Sequence, residues 1–105
     1  MEHILKHIHF LELLADPSSE EQARALISTS TKEQLNIVSE LALNILQARI
    51  ELSKHYKNKL RKDADIIRLL ADRQVGSKKR RIIAGEHTKT ISALLTACLK
   101  RVRDG

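Results

Sequence analysis

Around 32–51 five polar side chains fall on one narrow strip. Glu33, Glu40, Asn44, Gln47 and Glu51 follow one another at steps of three, four or seven positions. Leu35, Ile37, Val38, Leu41, Ala42, Leu43, Ile45, Leu46 and Ile50 cover much of the remaining cylinder. A helix apolar on most sides is stable in water only when other helices surround it. This requirement excludes a lone amphipathic rod and directs the chain to an all-α fold. The expected architecture is a compact bundle of five or six helices with 32–50 at its centre and Leu41 and Ile45 buried. The chain holds only three glycines and one proline in 105 residues, so punctuation is scarce.

The other elements follow from spacing and stop signals. Ile4, Ile8, Leu11 and Leu14 make one stripe of a helix over 2–15, ended at Asp16-Pro17 because proline disfavours helical geometry in the residue before it. A helix over 19–28 has Ala23, Leu26 and Ile27 inward, with Ser18/Glu21 or Ser19/Gln22 as a capping box. Ser30 with Glu33 offers another such box ahead of the central helix. Ser53 is placed to cap a helix over 54–73 whose inner stripe is Tyr56, Leu60, Ala64, Ile67 and Ala71, widened by Ile66, Leu69 and Leu70. Gly76, free to take a positive φ, is expected to close it. A short helix over 78–84 is closed by Gly85. The last helix, about 89–102, buries Ile91, Leu94, Leu95, Cys98 and Val102 and presents the small residues Ser92, Ala93, Thr96 and Ala97 on its other face.

All of this fits one domain, 1–105, in which 42% hydrophobic and 30% charged residues suit a folded helical protein. The lone Cys98 forms no internal disulfide, and no signal-peptide pattern follows Met1, so an intracellular, reducing location is expected. No run approaches the ~18 apolar residues of a membrane span. Lys100, Arg101 and Arg103 after an apolar stripe also fit a membrane-surface helix, but the same stripe suits the bundle core or a homo-oligomer interface through 88–102, and no membrane partner is expected.

Charge divides the chain. The first half, 1–48, has three basic and seven acidic side chains, net −4, whereas 49–81 has twelve basic and four acidic, net +8. A basic helix-turn-helix-like segment at 49–84 points to a polyanionic partner. Its candidate contact residues are Lys54, Lys57, Lys59, Arg61, Lys62, Arg73, Lys78, Lys79, Arg80 and Arg81. The run 78–81 falls in the first turn of a helix, where the dipole disfavours cations. A partner therefore explains that run better than folding does. Phe10 and Tyr56 are the only aromatics, too few for stacking on single strands, so phosphate-dominated contact with double-stranded DNA is favoured. Asn58 and Gln74 are placed to reach base edges. A nuclear-import signal or an acidic protein partner fits the same run, and a helical adaptor or oligomerisation module is the alternative function. Nucleus or virion is the location that DNA binding implies.

Catalytic constellations are missing. His3 and His7 are four apart, a spacing zinc sites use, but no third and fourth ligand stand nearby in sequence apart from His9 on a different face. Cys98 on an apolar stripe reads as a small core residue, with no base assignable to it. Asp63 and Asp65 lie among cations that they balance. No enzyme activity, metal or cofactor is expected.

Leu26 to Leu46, with Ser30-Thr31-Lys32-Glu33-Gln34-Leu35 and Ser39-Glu40-Leu41-Ala42-Leu43-Asn44-Ile45-Leu46, continues through Leu52-Ser53, Lys57, Lys59-Leu60, Leu69-Leu70-Ala71-Asp72 and Lys78-Lys79-Arg80-Arg81. Together these residues resemble a small basic protein of animal Maverick/Polinton-type elements and adintovirus-like viruses, over roughly residues 13–83. The resemblance implies a virus-like origin, a role near packaged or replicating DNA, and no enzymatic activity.

Overall fold

The computed structural model describes residues 2–47 and 51–104, with side chains described for 4–47 and 51–100. Among the described residues there are eight helices and no strand. They are α1 (Glu2–Lys6), α2 (Ile8–Ala15), α3 (Glu20–Ser28), α4 (Lys32–Leu46), α5 (Lys54–Arg61), α6 (Ala64–Ala71), α7 (Ser77–Glu86) and α8 (Thr88–Asp104). The all-α expectation holds, and the count exceeds five or six because two expected helices each break in two.

At His7 the backbone N–H turns back to Ile4 O, three residues away, and the ring Nε2 comes 3.3 Å from Glu33 Oε1 at the start of α4. At Lys62–Asp63 the chain bends because α5 packs on α8 whereas α6 packs along α4. Neither break contains glycine or proline, so local sequence gives no warning of it.

Caps set most of the boundaries. Ser19 Oγ accepts from Gln22 N–H to open α3, and Asp16-Pro17 ends α2 as expected. The capping box of α4 is Thr31/Gln34, one residue later than the Ser30/Glu33 pair. Ser53 caps α5 through Tyr56 N–H. Two glycine expectations are corrected. Gly76 has φ −62° and ψ 156° and starts α7 rather than ending the helix before it. Gly85 lies inside α7, which runs on to Glu86.

The most enclosed helix is α8, not 32–50. It touches α2, α3, α4, α5 and α7, and Ile91, Leu94 and Leu95 have no exposed surface. Leu41 is buried as expected, while Ile45 is only half-buried because α4 opens toward its C-terminal end. Val102 and Ile50 lie outside the residues whose side chains are described.

The small face of α8 meets the chain's own α2. Ser92 Oγ donates to Leu14 O at 2.9 Å and Thr96 Oγ1 to Ala15 O at 3.3 Å, satisfying carbonyls at the C-terminus of α2 that have no partner within their own helix. Ala93 and Ala97 are buried beside them. This face is thus used within the fold, and Ile91, Leu94, Leu95 and Cys98 of the apolar stripe lie in the core, so neither described face of 88–100 is left open for a homo-oligomer. Ser92→Ala is expected to lower stability by about 1 kcal/mol, the net worth of one hydrogen bond. Urea unfolding checks this, with the midpoint falling at unchanged slope.

Candidate nucleic-acid interface

Helix α5 carries four cations and no acidic residue. Leu60 is buried and Tyr56 half-buried, which fixes the inner face of the helix. At 100° per residue, Lys54, Asn58 and Arg61 then form the outermost stripe, with Lys57 on one flank and Lys59 on the other. Lys62 follows at the bend. All five cations are exposed. Packing does not call for them, and helix stability is divided: Lys59 and Arg61 in the last turn suit the negative end of the dipole, whereas Lys54 in the first turn does not. Lys54–Lys57, Lys57–Arg61 and Lys59–Lys62 are like-charged pairs at spacings of three or four, each unfavourable by about 0.2–0.5 kcal/mol.

The run 78–81 divides between solvent and core. Lys78 and Lys79 are exposed, but Arg80 retains only 6% of its surface. Its Nη1 donates to Ser39 Oγ at 2.6 Å and its Nη2 to Asn36 Oδ1 at 3.1 Å, fastening α7 to α4. Arg81 Nη1 donates to Ile27 O at 2.9 Å and to Ser30 O and Ser30 Oγ at 2.7 Å. That guanidinium sits at the C-terminus of α3, where unpaired carbonyls and the negative end of the helix dipole favour a cation. Folding therefore accounts for Arg80 and Arg81. Both leave the contact set, and the argument from an unfavourable dipole narrows to Lys78 and Lys79.

The remaining eight cations are not gathered into one patch. Lys57 and Arg61 border a groove with Ile45 and Leu46 at the C-terminal end of α4. Arg73 shares a concavity with Lys32 and Asn36 at the opposite end of α4. From Asn36 to Ile45 the helix rises about 14 Å, so α6 separates two basic clusters by roughly that distance. Arg68 stands apart from both, held at 2.9 Å by Asp65.

Two further cations join the surface that spacing alone did not single out. Lys89 shares a concavity of about 460 Å³ with Lys59, Tyr56 and Glu20. Lys32, from the acidic half, stands beside Arg73. Both lie outside the basic run, and only tertiary folding brings them to it.

Among the described residues no group of histidine, cysteine and carboxylate side chains is arranged to hold a metal ion. His3 lies outside the described side chains. Burial pushes the Cys98 thiol up to about 12, which keeps it protonated and without nucleophilic character at neutral pH. Tyr56 is half-buried, packed against the core and set nearly perpendicular to the His55 ring, centroids 5.2 Å apart. No described helix is long and apolar enough to cross a membrane. Comparison with protein-family models, curated proteins and solved structures returns no match.

Proposed function

We propose that the chain binds double-stranded nucleic acid with little sequence preference, through the cations of α5 and of the turn into α7. One observation carries this reading. Lys54, Lys57, Lys59, Arg61, Lys62, Arg73, Lys78 and Lys79 are all exposed, and among the described residues none makes an ion pair. Phosphates arrayed along a duplex would offset the repulsion that these side chains impose on the isolated fold. Asn58, between Lys54 and Arg61 on the outer stripe of α5, and Gln74, exposed ahead of α7, would be the residues to meet base edges. A site of action beside packaged or replicating DNA, in a nucleus or virion, rests on the sequence resemblance of residues 13–83 to the Maverick/Polinton-type proteins alone.

Electrophoretic mobility shift on random duplex DNA tests the reading. Dissociation constants of about 10⁻⁴–10⁻⁶ M are expected at physiological salt, with a log–log salt slope near −0.9 for each phosphate neutralised. Each of Lys54, Lys57, Lys59, Arg61 and Lys62 changed to glutamine flattens the slope by about 0.9 if it meets a phosphate. Lys6→Gln and Arg24→Gln, beside Glu33 and Glu20, leave it unchanged. A wild type that fails to shift duplex even at low salt ends this proposal. The second reading, a helical adaptor, then takes its place. It is favoured by the groove lined by Ile45, Leu46, Leu52, Leu60, Ala64 and Ile67 and rimmed by Lys57 and Arg61, which suits an amphipathic acidic helix.

A further inference from the structure

Four helices leave a gap where they meet. The end of α2, the start of α3, one flank of α5 and the start of α8 enclose the concavity of about 460 Å³ that Lys59 and Lys89 share. Its size lies within the ~300–1,000 Å³ range of small-molecule sites. Ala15, Pro17, Ala23 and Ala93 give it an apolar lining, and their short side chains leave it open.

Two cations and one hydroxyl give this concavity a chemical preference. Lys59 and Lys89 are both exposed, and neither makes an ion pair among the described residues. Glu20 is the one acidic residue in the lining, and Arg24 Nη1 holds its carboxylate at 3.2 Å. Thr88, also in the lining, is the first residue of α8 and retains only 5% of its surface. Among the described residues its hydroxyl has no hydrogen-bond partner, and the unpartnered polar atoms sealed from solvent are His7 Nε2 and Arg80 Nε instead. The Thr88 hydroxyl is therefore reachable, and the concavity is the surface onto which this residue opens. A nine-tenths buried hydroxyl left to water alone is a donor ready for an incoming oxygen. It stands at the N-terminus of a 17-residue helix, where the dipole favours an anion.

We propose that this concavity binds a small organic anion, with an apolar body on the alanine and proline lining and one carboxylate or phosphate head among Lys59, Lys89 and the Thr88 hydroxyl. A bare inorganic ion would leave the apolar lining wet, and an uncharged molecule would leave both ammonium groups unanswered. Thr88 donates to an oxygen of the head, and the two lysines meet its charge from α5 and α8. These helices are distant in sequence, so the site exists only in the folded chain. It goes beyond the duplex reading and does not depend on it, although Lys59 belongs to both surfaces.

The test uses the full chain, labelled with ¹⁵N and free of nucleic acid, titrated at constant ionic strength with naphthoate and with neutral naphthamide as the matched reference. The amide signals of Lys59, Thr88, Lys89 and Ala93 are expected to move and saturate with naphthoate, and naphthamide to bind about tenfold more weakly. Lys89→Gln, at an exposed position, should keep the fold and weaken naphthoate about tenfold, as expected for one charged hydrogen bond. Thr88→Val keeps the shape of the side chain and removes its hydroxyl. Its melting temperature should be no lower than that of the wild type, while naphthoate binds several-fold more weakly. That pair of variants separates a lost site from a lost fold. Naphthyl phosphate, titrated in the same way, identifies the head, because the tighter of the two anions carries the group the site prefers. Equal affinity for naphthoate and naphthamide overturns the proposal. So do shifts that never saturate, and so do Lys89→Gln and Thr88→Val chains that both bind like the wild type. With no nucleic acid present, failure here leaves the duplex reading standing. A chain that binds naphthoate but no duplex keeps this site and loses that reading.

Discussion

Arg80→Ala should destabilise the protein by about 3 kcal/mol, although it removes one cation from a row of four. Two charged hydrogen bonds, each worth roughly 1.5–3 kcal/mol, disappear. Ser39 and Asn36 lose the donor that ties α4 to α7, and the volume of the aliphatic stem is left empty. Relief from burying a guanidinium offsets part of that loss, which keeps the figure from the upper end. Lys78→Ala and Lys79→Ala, exposed on the same turn, should each fall within about 0.5 kcal/mol of wild type. Urea unfolding of the three variants measures this directly. Equal effects across the three would mean that Arg80 is not the tie between α4 and α7.

Leu94→Ala should cost about 2–5 kcal/mol, the range for truncating a large buried side chain in a core that cannot fully collapse. Leu94 has no exposed surface, and its helix is walled by five others, so no neighbour has a free side from which to move in. Leu46→Ala makes the same chemical change at 39% exposure and should cost less than about 1 kcal/mol. Unfolding midpoints at constant slope separate the two. Comparable losses would place the centre of the core on α4, where the polar strip of 32–50 first suggested it.

That misplaced centre shows where sequence is legible and where it is not. Periodicity found every major helical region, and the inner residues Leu11, Leu14, Ala23, Ile27, Leu41, Leu60 and Ile67 are all buried. The breaks at His7 and at Lys62–Asp63 were invisible, because they answer to partners far along the chain rather than to local propensity. Ser92 and Thr96 look like an outward face when only their polarity is counted. Their hydroxyls instead reach carbonyls of α2, 78 and 81 residues away, and let the two helices approach. The basic segment was partly legible in the same sense. Charge and spacing identify Lys54 to Lys62 on a helix with an open outer face, but Lys78-Lys79-Arg80-Arg81 reads as a single cluster until tertiary acceptors at Ser39, Asn36, Ile27 and Ser30 divide it.

The position of α8 also governs how the chain behaves while it is being made. Leu11 and Leu14 of α2 leave the ribosome long before the helix that covers them. Translation proceeds at roughly 5–20 residues per second, and Leu14 precedes Ser92 by 78 positions. For roughly 4–16 s the apolar stripe of α2 therefore precedes the helix that covers it. That stripe is open to chaperones or to neighbouring chains until residues 88–99 have been made.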